Sequence, residues 1–175
     1  MATTWNLDPN HTEVKFKVKH LVISSVTGYF SNFNGTVETT QADFSDAKVS
    51  FEADINSIST KNEQRDGHLK SADFFDAANH PKLTFVSTSI SKKDDRDYQL
   101  NGNLTIRGVT KSITLDAEYN GTVKGFGVDD VAAFELEGKI NRKDFGLIWN
   151  GLTETGGVVV GDEVKLDITA ELVKS

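Results

Sequence analysis

Apolar and polar residues alternate with a period of two along most of this chain. In residues 12–20, for example, Val14, Phe16 and Val18 share one face while lysines occupy the other. Successive side chains of a β-strand point to opposite faces, so the alternation predicts half-buried strands. The eight strands predicted in this way cover residues 12–20, 26–30, 47–58, 83–88, 98–106, 113–119, 134–140 and 164–172.

Mostly short turns join these segments, which favours antiparallel pairing, and each segment has a single polar face. A β-sandwich and a closed barrel both fit that pattern. The length of the strands favours the barrel, so we predict an all-β, extended eight-stranded antiparallel barrel. The chain has 175 residues, and we expect residues 1–175 to form a single domain.

The alternation fails over residues 60–85, which are rich in charge and contain Pro81. Asn62 is a suitable N-cap, and it predicts one short helix near residues 62–71, weakened by Gly67. Phe74 and Phe75 follow the helix and need an apolar surface to cover them. We therefore expect a helical flap across one end of the barrel.

The inward positions of the predicted strands are apolar, and small residues recur among the large ones. These small residues are Gly28, Ala53, Ser87, Gly102, Ala117, Gly138 and Ala170. If they lie at similar heights, they leave an elongated apolar cavity, because an eight-stranded barrel has room inside for side chains or for one small ligand. Alternatively, they ease the twist and coiling of the strands.

Composition excludes several classes of function. The 26 acidic side chains outnumber the 19 basic ones and give a net charge of -7, which disfavours nucleic acid and anionic lipid surfaces as partners. The chain has no cysteine, so disulfides and thiolate chemistry are absent. The sequence shows no secretory signal and no membrane-spanning apolar run, which predicts a cytoplasmic protein, or a periplasmic one if a signal has been removed.

Three polar groups are candidates for chemistry. His68 with Asp66 and Asp73 would make a metal site if folding brought them together, although such charges are more often solvated or capping. Arg65-Asp66 and Arg142-x-Asp144 lie in irregular chain beside apolar residues. They would form either ion pairs that tie the flap and the late loop, residues 142–157, to the barrel ends, or a polar mouth for a ligand headgroup.

Several of these segments together resemble the YceI-like family. The segments that carry the resemblance are residues 5–20, 28–30, 65–76, 81–85, 102–111, 142–146 and 160–164. The most specific are R-D-x-H-L at residues 65–69 and L-T-I-R-G-V-T-K at residues 104–111. The resemblance implies a lipocalin-like antiparallel barrel that binds a polyisoprenoid or another long amphipathic lipid, and many members of the family are periplasmic. It carries over no catalytic residue.

The predicted function is therefore non-enzymatic binding, storage or transport of an isoprenoid lipid, of the quinone or polyprenyl phosphate class, inside the barrel. The predicted ligand-binding residues are Phe16, Val18, Phe30, Phe51, Leu69, Phe74, Phe75, Phe85, Gly102, Leu104, Leu115, Phe134, Leu136, Phe145 and Trp149. In this interpretation Gly102 keeps the tunnel open, while the flap, Phe145 and Trp149 gate its ends. No cofactor, metal or stable membrane insertion is expected, and two copies could pair through an exposed strand.

Two other hypotheses remain open at this point. The first is an enzyme that acts on the headgroup of such a lipid through Arg65, Asp66 and His68. The second is a stress-response module whose collapsed core binds no ligand.

Overall fold

In the computed structural model, which describes residues 2–125, 129–150 and 160–175, the strands form one antiparallel sheet closed into a barrel. The strands are β1 (Thr3–Leu7), β2 (Glu13–His20), β3 (Ser24–Phe30), β4 (Phe33–Thr39), β5 (Lys48–Asp54), β6 (Ile58–Ser59), β7 (Lys82–Lys92), β8 (Asp97–Ile106), β9 (Val109–Lys124), β10 (Asp130–Asn141) and β11 (Val160–Lys174). The ring closes because β1 pairs with β4 on one side and with β11 on the other.

Eleven segments form eight strands, because the first three strands of the barrel each bend in the middle. Residues 8–12 separate β1 from β2, residues 31–32 separate β3 from β4, and a 3-10 helix (Ile55–Ser57) separates β5 from β6. When these pairs are joined, each strand lies beside the next one in sequence and the last lies beside the first. This is an up-and-down barrel, and the prediction of eight antiparallel strands is confirmed. The first strand starts earlier than predicted, at Thr3.

The interior contains two apolar clusters, one towards each end of the barrel. The larger cluster includes Phe30, Leu104 and Phe145, and the smaller one surrounds Trp5 and Phe44. The alternation of the sequence accounts for the larger cluster, since the inward residues of β8 are the buried ones and the residues between them are more exposed.

The flap consists of residues 60–81 and contains the predicted helix, α1 (Glu63–Lys70). Asn62 caps the helix, because its side chain accepts a hydrogen bond of 3.0 Å from the backbone N–H of Arg65. No residue of α1 is fully buried, and the residues that follow the helix contribute the buried side chains Phe74 and Ala77. The flap ends at Pro81 and β7 begins at Lys82, one residue before the start of the strand predicted over residues 83–88.

The late loop does not begin as irregular chain. It starts with a 3-10 helix (Arg142–Phe145) that ends at Gly146, whose φ of 80° is the left-handed conformation that glycine tolerates. The predicted irregular residues 151–157 lie outside the described residues.

Candidate ligand-binding cavity

An elongated apolar cavity runs along the barrel axis, with a volume of about 240 Å³. Its lining extends from Phe44 and Leu172 near one end to Leu69 and Val160 near the other. The volume exceeds that of an engineered cavity of about 150 Å³ that stays dry and binds benzene. It lies just below the range of about 300–1,000 Å³ that is typical of ligand pockets.

Twelve of the fifteen predicted ligand-binding residues line this cavity. They are Phe16, Val18, Phe30, Phe51, Leu69, Phe74, Phe75, Phe85, Leu104, Leu115, Phe134 and Leu136. Gly102, Phe145 and Trp149 are not part of the lining. Phe145 is buried in the wall of the larger cluster, and Trp149 packs against the flap. That a lipid contacts the twelve lining residues stays a prediction.

The inward glycines do not leave empty space, contrary to what the pattern of small residues predicted. Phe16 lies directly opposite Gly28 in the β2–β3 register, and its ring occupies the position that a Cβ of residue 28 would need. The ring of Phe85 covers Gly102 in the same way. Two further glycines accept large neighbours, since a Cβ at Gly35 would lie 2.7 Å from Leu7 and one at Gly138 would lie 2.6 Å from Leu115. Each glycine is a seat for a bulky cross-strand side chain. At Gly28 and Gly102 this is the packing device known from β-sheets as aromatic rescue, whereas leucines occupy the other two seats.

Other small residues do border free space. Ala117 and Ala170 are buried and line the cavity. Ser87 is used in the wall instead: its Oγ accepts a hydrogen bond of 2.8 Å from the backbone N–H of Val49, next to a register shift in the β7–β8 pairing. The cavity interpretation therefore holds for Ala117 and Ala170 and not for the whole set of small residues.

One end of the barrel, here called the plug end, is closed by Phe44 of the loop between β4 and β5, residues 40–47. The side chain of Phe44 is 1% exposed, and its ring centroid lies 5.0–5.5 Å from those of Trp5, Tyr119 and Phe134. The Tyr98 hydroxyl donates to the carbonyl oxygen of Asp43, which fixes the backbone beside the plug.

Carboxylates hold the plug loop in shape. Asp46 accepts hydrogen bonds from the hydroxyl of Thr39 and from the backbone N–H groups of Thr40 and Gln41. The bonds from Thr39 and Thr40 hold the pKa of Asp46 well below its ordinary value of 3.8. Hydrogen bonds from Ser45 and Lys92 lower the pKa of Asp43 to about 2.

The opposite end, here called the flap end, is covered by aromatic residues of the flap. The ring of Phe75 stands edge-on to Phe30 inside the barrel, with centroids 6.3 Å apart. Phe74, His68 and Trp149 contact one another, and the centroid of Phe74 lies 5.1 Å from that of His68 and 5.4 Å from that of Trp149. Arg107, in the turn between β8 and β9, donates a hydrogen bond of 2.8 Å from Nη1 to the carbonyl oxygen of Phe74 and so fastens the flap to the barrel rim.

Arg65 and Asp66 both bind Thr60, so they hold the hinge of the flap. Nε and Nη2 of Arg65 donate to Oγ1 and to the carbonyl oxygen of Thr60, each at 2.8 Å. Oδ1 of Asp66 accepts from the backbone N–H and the hydroxyl of the same residue at 2.8 Å and 2.5 Å. His68 contacts Asp73 at 2.9 Å. The predicted cluster of His68, Asp66 and Asp73 is therefore not assembled, because Asp66 is turned towards Thr60.

Arg142 is a buried residue that holds the late loop against β11. Its Nε donates to Gly161, its Nη1 donates to Leu147 and Trp149, and its Nη2 donates to Val160, in every case to the carbonyl oxygen. The predicted pairing with Asp144 is wrong, since the nearest carboxylate is that of Asp162 at 3.7 Å. Burial lowers the pKa of Arg142, and Asp162 opposes the shift. With its donors engaged by carbonyls, Arg142 acts as a structural clamp.

Among the described residues, one group has the composition of a metal site. Asp8, His11 and Glu171 meet at the bend between β1 and β2, and the hydrogen bond that His11 donates to the carboxylate of Asp8 raises the pKa of His11. His11 is largely exposed and joins Asp8 at 2.8 Å. The group is separate from the cavity, and the bond between Asp8 and His11 explains the arrangement as a lock on the strand bend.

The sequence patterns missed the plug end. Phe44 and its neighbours Ala47 and Leu172 all line the cavity. The available signal was Phe44 as the single large apolar residue in the segment Gln41–Asp46, since a large apolar side chain in a turn needs a buried surface to cover it. Arg107 was also missed, because its contact with the flap joins positions that are far apart in sequence.

Comparisons with known proteins agree on one family. A model of the YceI-like domain matches residues 5–172. A UPF0312 protein of Staphylococcus aureus is 40% identical over 170 residues, which are 97% of this chain and 96% of that protein. The crystal structure of the Campylobacter jejuni YCEI protein superposes with a TM-score of 0.75 at 36% identity and 87% coverage of both chains.

A more distant structure shares the fold alone. It is a polyisoprenoid binding domain from Saccharophagus degradans implicated in plant cell wall breakdown, with a TM-score of 0.65, 15% identity and 98% coverage of both chains. Among the residues described for the present chain, no helix has the length and hydropathy of a membrane span. The matching domain model and the identity to the staphylococcal relative establish that this chain belongs to the YceI-like family.

Proposed function

We propose that the protein binds the tail of a long isoprenoid lipid in the barrel cavity and stores or carries it without chemical change. The observation that supports this proposal is the continuous apolar lining between the flap and Phe44. The distant structural neighbour described as a polyisoprenoid binding domain is consistent with such a ligand.

The gain in free energy from burying a tail is large. Each buried CH₂ contributes about 0.8 kcal/mol, so one five-carbon isoprene unit contributes about 3 kcal/mol before the cost of ordering the tail is subtracted. Tight binding then needs no directed hydrogen bond, and the length of the cavity sets the preference for tail length. A quinone and a polyprenyl phosphate share such tails and differ in the headgroup at the mouth.

The flap end is the mouth in this proposal. The plug end is closed by a side chain from a tight loop between neighbouring strands, whereas the flap is an insertion between β6 and β7. Because the cavity volume of about 240 Å³ lies below the usual range for ligand pockets, we expect the flap to move outward when a tail of several units enters.

The rival hypotheses receive less support. Arg65 and Asp66 direct their side chains at Thr60 and not at the cavity, so no observation favours an enzyme that uses them on a headgroup. A collapsed, ligand-free core does not match an interior with a continuous cavity. Pairing of two copies stays a prediction that light scattering would test.

The experiment is native mass spectrometry of protein purified without detergent, followed by lipid extraction and by titration with a long-chain isoprenoid quinone and a polyprenyl phosphate. We expect one lipid per chain, and the headgroup preference identifies the ligand class. If no lipid is recovered and neither compound shifts the mass, the proposal is wrong.

A cavity-filling variant makes the test specific. Ala117→Phe places a ring in the cavity from a buried alanine, and we expect affinity for the quinone to fall at least about tenfold, which is about 1.4 kcal/mol, in a protein that still folds. Gly102→Phe is unsuitable, since Phe85 already occupies that position. Val123→Phe, at a residue that is 67% exposed, is the matched control and should bind normally. Undiminished binding by folded Ala117→Phe would show that the tail lies elsewhere.

A further inference from the structure

Three consecutive apolar residues are exposed at the tip of the β2–β3 hairpin, at the flap end of the barrel. Leu21, Val22 and Ile23 are 40%, 66% and 88% exposed. Apolar residues scattered singly over a surface are ordinary, whereas a contiguous apolar tip indicates an interaction. The late loop at the same end adds Ile148, which is 67% exposed.

The backbone holds this tip in an uncommon conformation. Leu21 and Val22 have φ values of 54° and 67°, in the left-handed region that β-branched residues rarely adopt. The neighbouring strand residues are in regular register, with His20 paired to Ser24. The tip is therefore a tight turn built from apolar residues at a position where glycine or asparagine would be less strained.

Unpaired lysines lie directly behind the tip. Lys17 and Lys19 are exposed on the outer face of β2, and Lys165 of β11 lies opposite Lys17. Among the described residues, none of these three has a carboxylate within the 4.0 Å of an ion pair, whereas Lys15, further from the tip, contacts Glu13 and Asp167.

The acidic residues of β11 nearest this strip are already paired. Lys143 lies 3.3 Å from Asp162, and Lys139 lies 3.3 Å from Glu163. Within the described part of this protein of net charge -7, a local row of lysines without carboxylate partners thus lies at one end, next to the apolar tip.

An apolar tip with lysines behind it is suited to binding the surface of a lipid bilayer. Apolar side chains enter the boundary between headgroups and acyl chains, and lysines remain at the level of the phosphates. A protein partner would need a patch of about 800 Å² on each side, and the tip of one hairpin does not provide such a face.

We propose that the protein docks transiently on anionic membranes through Leu21, Val22 and Ile23, with Lys17, Lys19 and Lys165 on the headgroups. The docked orientation turns the flap end towards the bilayer. Docking rests on the surface alone, while delivery or uptake of a lipid in this orientation rests on the proposed function.

The test is flotation of the full chain with vesicles of phosphatidylcholine and phosphatidylglycerol, compared with vesicles of phosphatidylcholine alone. We expect binding to the anionic vesicles that weakens with added salt. Ile23→Asp should weaken binding about tenfold or more, because it replaces the most exposed apolar side chain with a charge that the headgroups repel. Lys17→Glu with Lys19→Glu should remove most of the preference for anionic vesicles.

Val123→Asp is the matched control, because Val123 is also a β-branched apolar residue and largely exposed, but it belongs to β9 near the plug end. Equal loss for Ile23→Asp and Val123→Asp, or no vesicle binding by the unaltered chain, would overturn the proposal. Binding of the free quinone in solution is measured on the same variants. Intact quinone binding without docking overturns the docking proposal alone, and docking without quinone binding overturns the proposed function alone.

Discussion

The two ends of the barrel are both closed by aromatic side chains, but in different ways. At the plug end, Phe44 comes from a loop between neighbouring strands, and Asp46 holds that loop through several hydrogen bonds. At the flap end, Phe74 and Phe75 come from an insertion whose helix has no fully buried residue. We therefore expect the plug to unfold only with the core, and we expect the flap to open while the barrel remains intact.

The chain has a natural reporter at each end. Its two tryptophans are Trp5, which packs against Phe44 at 5.2 Å, and Trp149, which packs against His68 at 4.7 Å. Replacing one tryptophan with phenylalanine leaves fluorescence that reports on the other end. The contrast between the ends is therefore measurable in a single protein.

The largest effect is expected for Phe44→Ala. Removing a fully buried ring from the plug end should lower the free energy of unfolding by about 3–5 kcal/mol, through lost burial and the cavity left behind. Urea denaturation measures it. Phe74→Ala at the flap end should cost less and should mainly expose Trp149. Equal losses of unfolding free energy in the two variants would contradict the view that the plug belongs to the folding core while the flap opens separately.

A smaller effect is expected for Arg107→Ala. This variant removes the hydrogen bond to the carbonyl oxygen of Phe74, worth about 1–2 kcal/mol, so the open flap should be about tenfold more populated. Hydrogen exchange at the backbone N–H groups of Phe75 and Ala77, which bond to Leu69 and Lys70, measures the opening. Arg96→Ala, in the turn between β7 and β8, is the control and should leave flap exchange unchanged. If hydrogen exchange at these N–H groups is as slow in Arg107→Ala as in the unaltered protein, other contacts hold the flap.

The smallest effect is an acid-induced loosening of the plug end. The pKa values of Asp43 and Asp46 are lower in the folded protein than the ordinary 3.8, so their stabilisation is complete above the ordinary pKa. It is lost as the pH falls through the folded values, which for Asp43 means about 2. Trp5 emission in Trp149→Phe should therefore shift between about pH 4 and pH 2. If only the emission of Trp149 shifts in that pH range, the acid-sensitive end is the flap end and this prediction is wrong.

Much of the fold follows from local sequence signals. Alternation predicted the eight strands because one face of each is buried, and Asn62 predicted the start of α1 because capping involves residues only three apart. The same alternation identified nine of the twelve predicted residues that line the cavity, since position within a strand decides which side chains point inward.

The rest depends on contacts between distant positions. Whether Gly28 leaves a void or seats a ring depends on its register with Phe16, and that register arises from the pairing of two strands. Arg142 donates to carbonyl oxygens of residues as far away in sequence as Gly161. The prediction that it pairs with the neighbouring carboxylate of Asp144 was therefore wrong. The inward orientation of the Phe44 side chain likewise depends on its contacts with Trp5, Tyr119 and Phe134, which lie on strands distant in sequence.

The glycine seats also bear on which tails the barrel can hold. A side chain on an ordinary residue rests above a Cβ, whereas Phe16 and Phe85 rest on bare backbone at Gly28 and Gly102. Rotation of such a ring would uncover a trough as deep as the main chain without separating a strand from its neighbour. Under the proposed function, we therefore expect rotamer changes at these few positions to adjust the internal width of the barrel to tails of differing thickness.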